Sequence, residues 1–252
     1  MLLVVDIGNT TTRVGVWQDG AAAGVKVFPT GDACRTSQLT ERLALNPEDV
    51  DLALCSVVPP ATEGWVEWHQ AAGRRSLVVR GDTDTPLTNR YRDPPRLGGD
   101  RLAAAVGAVR RFGAPVVVVS LGTATVVDAV SAQSEYLGGA IAVGVQTGLD
   151  ALAEKTRALP RVSAAQAHSA IGEDTQECLL VGATYGMAAL VEGLVGRLRE
   201  VVGAGAPLVM TGGHAELISR CLRSEHEVVP TLTLEGVAAI WEHNCGEADA
   251  DR

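Results

Sequence analysis

Aromatic residues are scarce in this chain: they make up only 4% of its 252 residues, although hydrophobic residues as a whole reach 46%. The core must therefore be aliphatic, and the apolar content is sufficient for one large or two small folded domains. Long hydrophobic runs are also lacking, since the stretches at 102–109 and 115–119 fall far short of the ~18 residues of a membrane span. Asp6 interrupts the apolar start and no basic segment precedes it. We therefore expect a cytoplasmic protein with no signal peptide and no membrane partner.

Several kinds of site are excluded by residues or spacings that are missing. The cysteines show no C-x-x-C spacing and the histidines no ligand spacing, which argues against a disulfide framework, a zinc site and an iron–sulfur cluster. Lysine occurs only at Lys26 and Lys155. Neither follows a glycine-rich loop, so the chain has no P-loop. The net charge of −9 argues against a nucleic-acid partner, which would need a basic face.

Two segments with the same pattern divide the chain. An apolar run at 2–5 leads into a polar turn and an alternating run at 13–17, which predicts a β-hairpin. A second hairpin of this kind is predicted over 116–130, with Gly122 in the place that Gly8 takes in the first. Each hairpin opens about half of the chain, which indicates a duplicated domain. We expect domains at 1–112 and 113–245, followed by a frayed tail at 246–252.

Each half then alternates strands with helices, which is typical of an α/β fold. The segment 81–97 is rich in proline and is expected to be a loop. Strands are predicted over 51–58, 76–80, 207–210 and 228–229. Helices are predicted over 36–45, 62–72, 99–112, 148–156, 175–202, 215–222 and 234–244.

The long helix predicted over 175–202 carries glycine at three- or four-residue spacing. A glycine in a helix costs about 1 kcal/mol relative to alanine, so a row of them indicates a smooth face that another element approaches closely. That element is either internal or part of a second subunit.

The turn of the first hairpin has the composition of a site for a metal–phosphate group. A carboxylate at the end of a strand can hold Mg²⁺, and a glycine lets backbone N–H groups approach phosphate oxygens. The alternative is an ordinary tight turn, which uses the same residue types. The second hairpin repeats the pattern at Gly122 and Thr123, so the two turns are expected to hold a nucleotide phosphate tail from both sides. The first turn reads Asp6, Ile7, Gly8, Asn9, Thr10, Thr11, Thr12 and Arg13.

This pair of turns resembles the acetate and sugar kinase, heat-shock-70 and actin superfamily, which implies two duplicated ribonuclease-H-like α/β domains with a nucleotide cleft between them. Further motifs resemble one family within it, the type III pantothenate kinases. They are G-x-D-R at 98–101, G-G-x-I at 138–141, I-G-x-x-T at 171–175 and T-G-G at 211–213. The resemblance runs from Met1 to about Trp241.

The resemblance implies an enzyme that uses ATP and Mg²⁺ to phosphorylate the primary hydroxyl of pantothenate, the first step of coenzyme A synthesis, and that forms a homodimer. Asp100 matches the family's proton acceptor, although a residue there could instead cap the helix at 99–112. Arg101 suits the pantothenate carboxylate, because a guanidinium binds a carboxylate through two parallel hydrogen bonds. Asp6 matches the Mg²⁺ site and Thr123 a phosphate contact, while Gly212 and Gly213 lie where adenosine would pack. The remaining matches to the pantothenate site are Tyr91, Gly98, Gly99 and Thr175.

Three positions depart from the family pattern. Ser120 stands where the family has an aspartate that binds a monovalent cation such as K⁺ or NH₄⁺. A neutral hydroxyl is a weaker cation ligand than a carboxylate, so this sequence puts the cation requirement in doubt. Val126 replaces a usual threonine, and Val143 a usual proline.

Two other functions stay open at this stage. One is a kinase of the same superfamily that acts on another small alcohol or hydroxy acid. The motif at 98–101 and Thr175 argue against this function. The other is a non-catalytic regulatory or binding protein on the same fold, which Ser120 favours and the retained Asp6 and Asp100 oppose.

Overall fold

The computed structural model describes residues 1–33, 40–41, 43–70 and 72–246, and the chain forms two compact units. The first comprises Met1–Arg111 and the C-terminal segment that begins at Thr231, and the second comprises Phe112–Pro230. The sequence assigns residues up to 245 to the second half. In the structure the last helix instead contacts strands of the first unit, because its apolar residues complete the core there. The predicted helix over 36–45 and the predicted tail lie largely outside the described residues.

The strands of the first unit form a five-stranded sheet around the predicted hairpin. They are β1 (Leu2–Ile7), β2 (Thr11–Gln18), β3 (Ala21–Pro29), β4 (Asp51–Ser56) and β5 (Ser76–Val79). Their spatial order is β3-β2-β1-β4-β5. β2 is antiparallel to β1 and to β3, whereas β4 is parallel to β1, and β5 to β4. A two-residue strand, β6 (Thr88–Asn89), lies in the segment that the sequence predicts as loop.

The second unit has a sheet of the same design. Its strands are β7 (Val116–Leu121), β8 (Ala124–Val130), β9 (Glu135–Val143), β10 (Leu208–Thr211) and β11 (Glu227–Val228). They lie in the order β11-β10-β7-β8-β9, with β8 and β9 antiparallel and β10 and β11 parallel to their inner neighbours. Each of the first five strands therefore has a counterpart, and the predicted duplication is present in the topology.

The helices cover these sheets. They are α1 (Thr30–Ala33), α2 (Pro59–Gln70), α3 (Gly99–Phe112), α4 (Val145–Lys155), α5 (Thr175–Val181), α6 (Met187–Val202), α7 (Ala215–Ser219) and α8 (Leu232–Cys245). A π-helical turn, Gly182–Gly186, joins α5 to α6, so the predicted long helix is present as one continuous element.

Strand alternation decides which side chains of β1 reach the core and which reach the site. Leu3, Val5 and Ile7 are buried in an aliphatic cluster with Trp65 of α2. Because successive side chains point to opposite faces, Asp6 lies on the other face of the sheet, with Leu2 and Val4. Asp6, the residue before the last in β1, therefore lies outside the aliphatic cluster.

The helix Thr175–Val202 has 28 residues, and an 18-residue window within it reaches a mean hydropathy of 1.7 with only 28% of that window buried. By length and composition alone this helix is able to cross a membrane. The prediction from uninterrupted apolar runs did not find it, because glycine residues interrupt the apolar side chains. Core helices of proteins outside membranes pass the same test, so this one helix is weak evidence for a membrane span.

Candidate active site

Asp6 is the charged centre of the first turn. It is half-buried at the end of β1, opposite Cys55 of the parallel strand β4. The Cys55 thiol donates a hydrogen bond of 3.5 Å to Asp6 Oδ1. The pKa of Asp6 is raised to about 6: burial contributes most and the charge of Asp100 adds to it, whereas Arg13 and the Cys55 hydrogen bond act in the opposite direction. The carboxylate of Asp6 thus lies in a site that favours a compensating positive charge.

The rest of the first turn is held by backbone and threonine hydrogen bonds. The N–H of Gly8 donates to the carbonyl of Thr11 over 3.0 Å, so this N–H closes the turn itself. The Thr30 hydroxyl donates to the carbonyl of Gly8 over 2.6 Å and lies 3.1 Å from the hydroxyl of Thr12. Asn9 and its two following threonines are exposed at the tip. The turn is therefore a fixed loop with polar side chains at its outer end.

Asp100 lies in the first turn of α3, and it is close enough to Asp6 for its charge to raise the pKa of that carboxyl. The helix begins at Gly99, so Asp100 follows its first residue and does not occupy the N-cap position. A Cβ at Gly98 would collide with Oδ1 of Asp100, and one at Gly99 would collide with the carbonyl of Val79. The two glycines thus have different tasks: Gly98 leaves room for the carboxylate, and Gly99 lets α3 approach β5.

Arg101 and Tyr91 lie together beside this helix start. The guanidinium carbon of Arg101 is 5.5 Å from the centroid of the Tyr91 ring, which is within the range of a cation–π contact. The first unit therefore brings together the two pairs of predicted residues: Asp6 with Asp100, and Tyr91 with Arg101.

The second turn is held by close backbone contacts at glycines and by one threonine, since the Thr147 hydroxyl donates to the carbonyl of Thr123 over 2.7 Å. The N–H of Gly122 donates to the carbonyl of Ala124 over 3.0 Å. A Cβ at Gly144, the N-cap of α4, would collide with the carbonyls of Gly122 and Thr123. Gly212 has a φ of +100°, and a Cβ there would lie 2.5 Å from the carbonyl of Leu121. Only glycine at these two positions permits the close contacts that hold the turn.

Ser120 occupies in β7 the position that Asp6 occupies in β1. It lies opposite Val126 of β8 and Thr211 of β10. Asp128 lies further along β8, opposite Val118, and is buried. The second turn consequently carries a hydroxyl where the first carries a carboxylate.

The donor set of the first turn fits Mg²⁺ bound with a nucleotide. In the part of the chain that the structure describes, no group of three or more His, Cys, Asp or Glu side chains could hold a metal ion. Mg²⁺ usually takes one or two carboxylates and completes its shell with phosphate oxygens and water. A single half-buried carboxylate such as Asp6, beside a polar turn, matches that pattern.

Thr175 is an exposed residue at the start of α5, in the unit that does not contain Tyr91 and Arg101. Its helix is capped by Asp174, whose side chain accepts a 2.8 Å hydrogen bond from the N–H of Glu177. Gly213 is likewise exposed, one residue before the N-cap of α7.

Sequence reasoning missed three residues that shape the two turns: Thr30, Cys55 and Gly144. Thr30 and Cys55 are far from the first turn in sequence, and no local pattern marks them. Gly144 lies four residues before the helix predicted over 148–156, so the prediction did not mark it as the N-cap that the structure shows. The sequence alone did not indicate that it lies against the turn at 122–123.

Comparison with known proteins decides the family. The model of the type III pantothenate kinase family matches residues 2–197, most of the chain. The chain belongs to the type III pantothenate kinase family. This confirms the resemblance inferred from the sequence motifs.

Named relatives agree over nearly their full length. A type III pantothenate kinase of Roseiflexus sp. (strain RS-1) is 38% identical over an alignment of 261 positions. The alignment covers 97% of this chain and 99% of the relative. That of Moorella thermoacetica is 34% identical, with 97% of this chain and all of the relative covered. That of Frankia alni is also 34% identical with the same coverage.

Solved structures show the fold alone, because their sequence identities are low. The activator of the 2-hydroxyisocaproyl-CoA dehydratase from Clostridium difficile, solved with ADPNP, superimposes with a TM-score of 0.56 at 14% identity. It covers all of this chain and 97% of its own. A ROK family glucokinase from Streptomyces griseus gives 0.51 at 14% identity, with 94% of this chain and 97% of its own covered. The chain thus has the two-domain α/β fold of actin-like ATPases and sugar kinases.

Proposed function

We propose that this protein transfers the γ-phosphoryl group of ATP to the primary hydroxyl of pantothenate, in the first step of coenzyme A synthesis and in the cytoplasm. The observation that carries this is the pair of interacting carboxylates Asp6 and Asp100, at the end of β1 and the start of α3. Phosphoryl transfer to an alcohol needs charge neutralisation at the phosphates and a nearby proton acceptor. We assign the charge neutralisation, through Mg²⁺, to Asp6 and the proton acceptor to Asp100.

Asp100 is the proposed proton acceptor. It takes the hydroxyl proton of pantothenate as the oxygen attacks the γ-phosphorus, a role in which a carboxylate must reach the hydroxyl directly. Arg101, held against the ring of Tyr91, is the proposed partner of the pantothenate carboxylate, with Gly98, Gly99 and Thr175 as further contacts.

The phosphate and nucleotide contacts are proposed from both hairpin turns. In the first unit, Asp6 would hold Mg²⁺ directly or through water, and the remaining residues of 7–13 would surround the phosphates. In the second unit, Gly122 and Thr123 would contact phosphate, and Gly212 and Gly213 would pack against adenosine. Mg²⁺, when bound, supplies neutralisation of the negative charge on the phosphate oxygens.

The monovalent-cation requirement is proposed to be weak in this protein. Relatives that carry aspartate at position 120 would hold K⁺ or NH₄⁺ through that carboxylate, whereas Ser120 offers a neutral oxygen. The Ser120→Asp variant should therefore gain a dependence on K⁺ over Na⁺ that the parent chain lacks. Equal rates of that variant in the two salts would contradict this proposal.

A homodimer is proposed on the apolar surface of the second unit. Ile141 and Val143 of β9 are 63% and 52% exposed. A Cβ at Gly186 or Gly193 would meet nothing within 4 Å in the described part of the chain. A cavity of about 600 Å³ opens beside Val143, Leu152 and Leu179. Sedimentation of the Ile141→Glu variant should show a shift toward monomer, and an unchanged sedimentation coefficient would count against this surface.

The decisive experiment measures ATP-dependent phosphorylation of pantothenate by the purified protein in Na⁺, K⁺ and NH₄⁺ salts. Asp100→Asn should abolish turnover, whereas Asp93→Asn, a change at an exposed aspartate in the preceding loop, should preserve it. Absence of turnover by the parent chain in all three salts would contradict the kinase function and favour a non-catalytic binding protein. A panel of other small hydroxy acids tests the substrate.

A further inference from the structure

We propose that the buried thiol of Cys55 is a positioning group for Asp6, which fixes the direction in which this carboxylate presents its second oxygen to the metal–nucleotide complex. The inference rests on the proposed role of Asp6 in the function described above.

The contact is built by the sheet. β4 runs parallel to β1, and their register sets Cys55 directly beside Asp6. Cys55 has no exposed surface, and its sulfur lies 3.5 Å from Asp6 Oδ1. At this distance the S–H group donates to the carboxylate, because an ionised carboxylate is an acceptor only.

A hydrogen bond to one carboxylate oxygen restricts the other. Rotation of an aspartate carboxylate about its Cβ–Cγ bond is broad in the absence of partners. With Oδ1 held by the thiol, the lone pairs of Oδ2 have a defined direction. A ligand that approaches the end of β1 then meets a fixed oxygen and does not have to order a rotating group.

Packing alone does not explain this cysteine. The neighbouring Leu52 and Leu54 of β4 belong to the aliphatic cluster against α2, whereas Cys55 lies outside that cluster and beside a charge. The matching pair of the second unit is Ser120 and Thr211. The buried Thr211 hydroxyl has no hydrogen-bond partner among the described residues. The anchored carboxylate is thus a feature of the first unit and not of the shared topology.

The test compares, at position 55, a side chain that cannot donate a hydrogen bond with one that can. Cys55→Val fills the space without a donor, and Cys55→Ser keeps a donor. For each, calorimetry gives the dissociation constant of a non-hydrolysable ATP analogue with Mg²⁺ and with EDTA. The ratio of the two constants measures the tightening that the metal provides. Leu54→Val is the control, because it weakens the core on the same strand without touching Asp6.

We expect the Mg²⁺-dependent tightening to fall about fivefold in Cys55→Val, the size of one modest hydrogen bond, and to return to within about twofold of the parent value in Cys55→Ser. Leu54→Val should lower the unfolding midpoint and leave the ratio unchanged. Cys55→Ala, which deletes only the sulfur, should lower the ratio as Cys55→Val does, and it replaces that variant if the valine protein does not fold.

Two results would overturn the inference. One is a Mg²⁺-dependent tightening in Cys55→Val and Cys55→Ala that equals that of the parent chain. The other is a fall in this tightening in Leu54→Val as large as that in Cys55→Val. If the parent chain itself binds the analogue equally with Mg²⁺ and with EDTA, the proposed metal role of Asp6 fails together with the positioning role. Failure of the parent to phosphorylate pantothenate leaves these binding measurements unaffected, so the two proposals fail separately.

Discussion

The two hairpin turns have the same topology and different chemistry. In the first unit, Asp6 lies next to Cys55, and threonine hydroxyls hold the turn. In the second unit the corresponding pair is Ser120 and Thr211, and glycines permit close backbone contacts around the turn, to which the Thr147 hydroxyl adds one 2.7 Å hydrogen bond to the carbonyl of Thr123. One turn carries a half-buried carboxylate, and the other carries only backbone and hydroxyl groups.

The difference lies at position 120, where this sequence departs from the aspartate of the family pattern, so it is not a general result of the duplication. A buried carboxylate costs free energy unless a cation offsets it, and Ser120 carries no charge that needs one. A glycine-lined turn suits close approach of a ligand to the backbone. Charge is therefore expected to matter only in the first turn, and close packing mainly in the second.

The largest effect is expected from neutralising the charge of the first turn. Asp6→Asn should lower kcat/KM for pantothenate phosphorylation on the order of 10²–10³-fold, as for the loss of a fixed electrostatic group at a reacting charge. Ser120→Ala, at the matching position, should cost less than about fivefold, the contribution of roughly one neutral hydrogen bond. Steady-state kinetics at saturating Mg²⁺ measures both. Equal losses would show that the two turns share the charge-dependent task.

The second turn should be the more sensitive to added volume. Gly144→Ala drives a methyl group into two backbone carbonyls and should lower the free energy of unfolding by about 2–3 kcal/mol. The control is Gly148→Ala in α4, where a Cβ would only touch the Val143 methyls at 3.7 and 3.9 Å. There we expect a gain of about 0.5–1 kcal/mol from helix propensity. Urea denaturation distinguishes them, and a stable Gly144→Ala protein would refute the packing role.

The half-buried carboxyl group of the first turn should appear in the pH dependence of stability. Asp6 has a folded pKa of about 6 against an ordinary value of 3.8, so the native state binds the extra proton between these values. Its contribution to stability therefore falls as pH rises from about 4 to above 6. Asparagine does not ionise, so only the parent loses stability as pH rises over that range. In metal-free buffer the free energy of unfolding of Asp6→Asn, relative to that of the parent, should therefore increase. If urea titrations give the parent and Asp6→Asn the same dependence of unfolding free energy on pH, then folding does not raise the pKa of Asp6.

The smallest contrast concerns the equivalent glycines. A Cβ at Gly8 would lie 3.1 Å from the carbonyl of Thr11, whereas one at Gly122 would lie 3.9 Å from that of Ala124. Gly8→Ala should cost about 1 kcal/mol of stability. Gly122→Ala should be neutral or stabilising by about 0.5 kcal/mol, since alanine reduces the entropy of the unfolded chain. Thermal unfolding resolves this difference, and its reversal would contradict the turn geometries described here.

Local sequence patterns predicted the parts of the fold that depend on neighbouring residues. Both hairpins and the helix Gly99–Phe112 were expected from apolar runs, turn residues and helix-ending arginines. The third strands of the two sheets were not. β3 is largely exposed and lacks alternation, and Gly139 of β9 is positioned by close contact with the backbone of Val127. Neither strand has the local pattern on which such predictions depend.

The candidate site divides in the same way. Asp6, Gly8, Asp100 and Arg101 were expected because their chemistry is visible in short motifs. Thr30 and Cys55 were not, because their partners are distant in sequence: the pairing of β4 with β1 places Cys55 beside Asp6, and the pairing of β3 with β2 places Thr30, the first residue of α1, beside the turn. Parallel pairing of remote segments is selected by burial of both sheet faces, which no single segment encodes.

The sequence by itself determined the duplication, the two turns and the identity of the charged residues, because these follow from local periodicity and residue chemistry. The tertiary structure alone decided that α8 completes the first unit, that a thiol lies beside Asp6, and that glycines hold the second turn. These features arise when the sheets assemble and bring remote backbones into contact. That assembly also set the surroundings of each turn, a thiol beside the Asp6 carboxylate and close backbone contacts around the second turn.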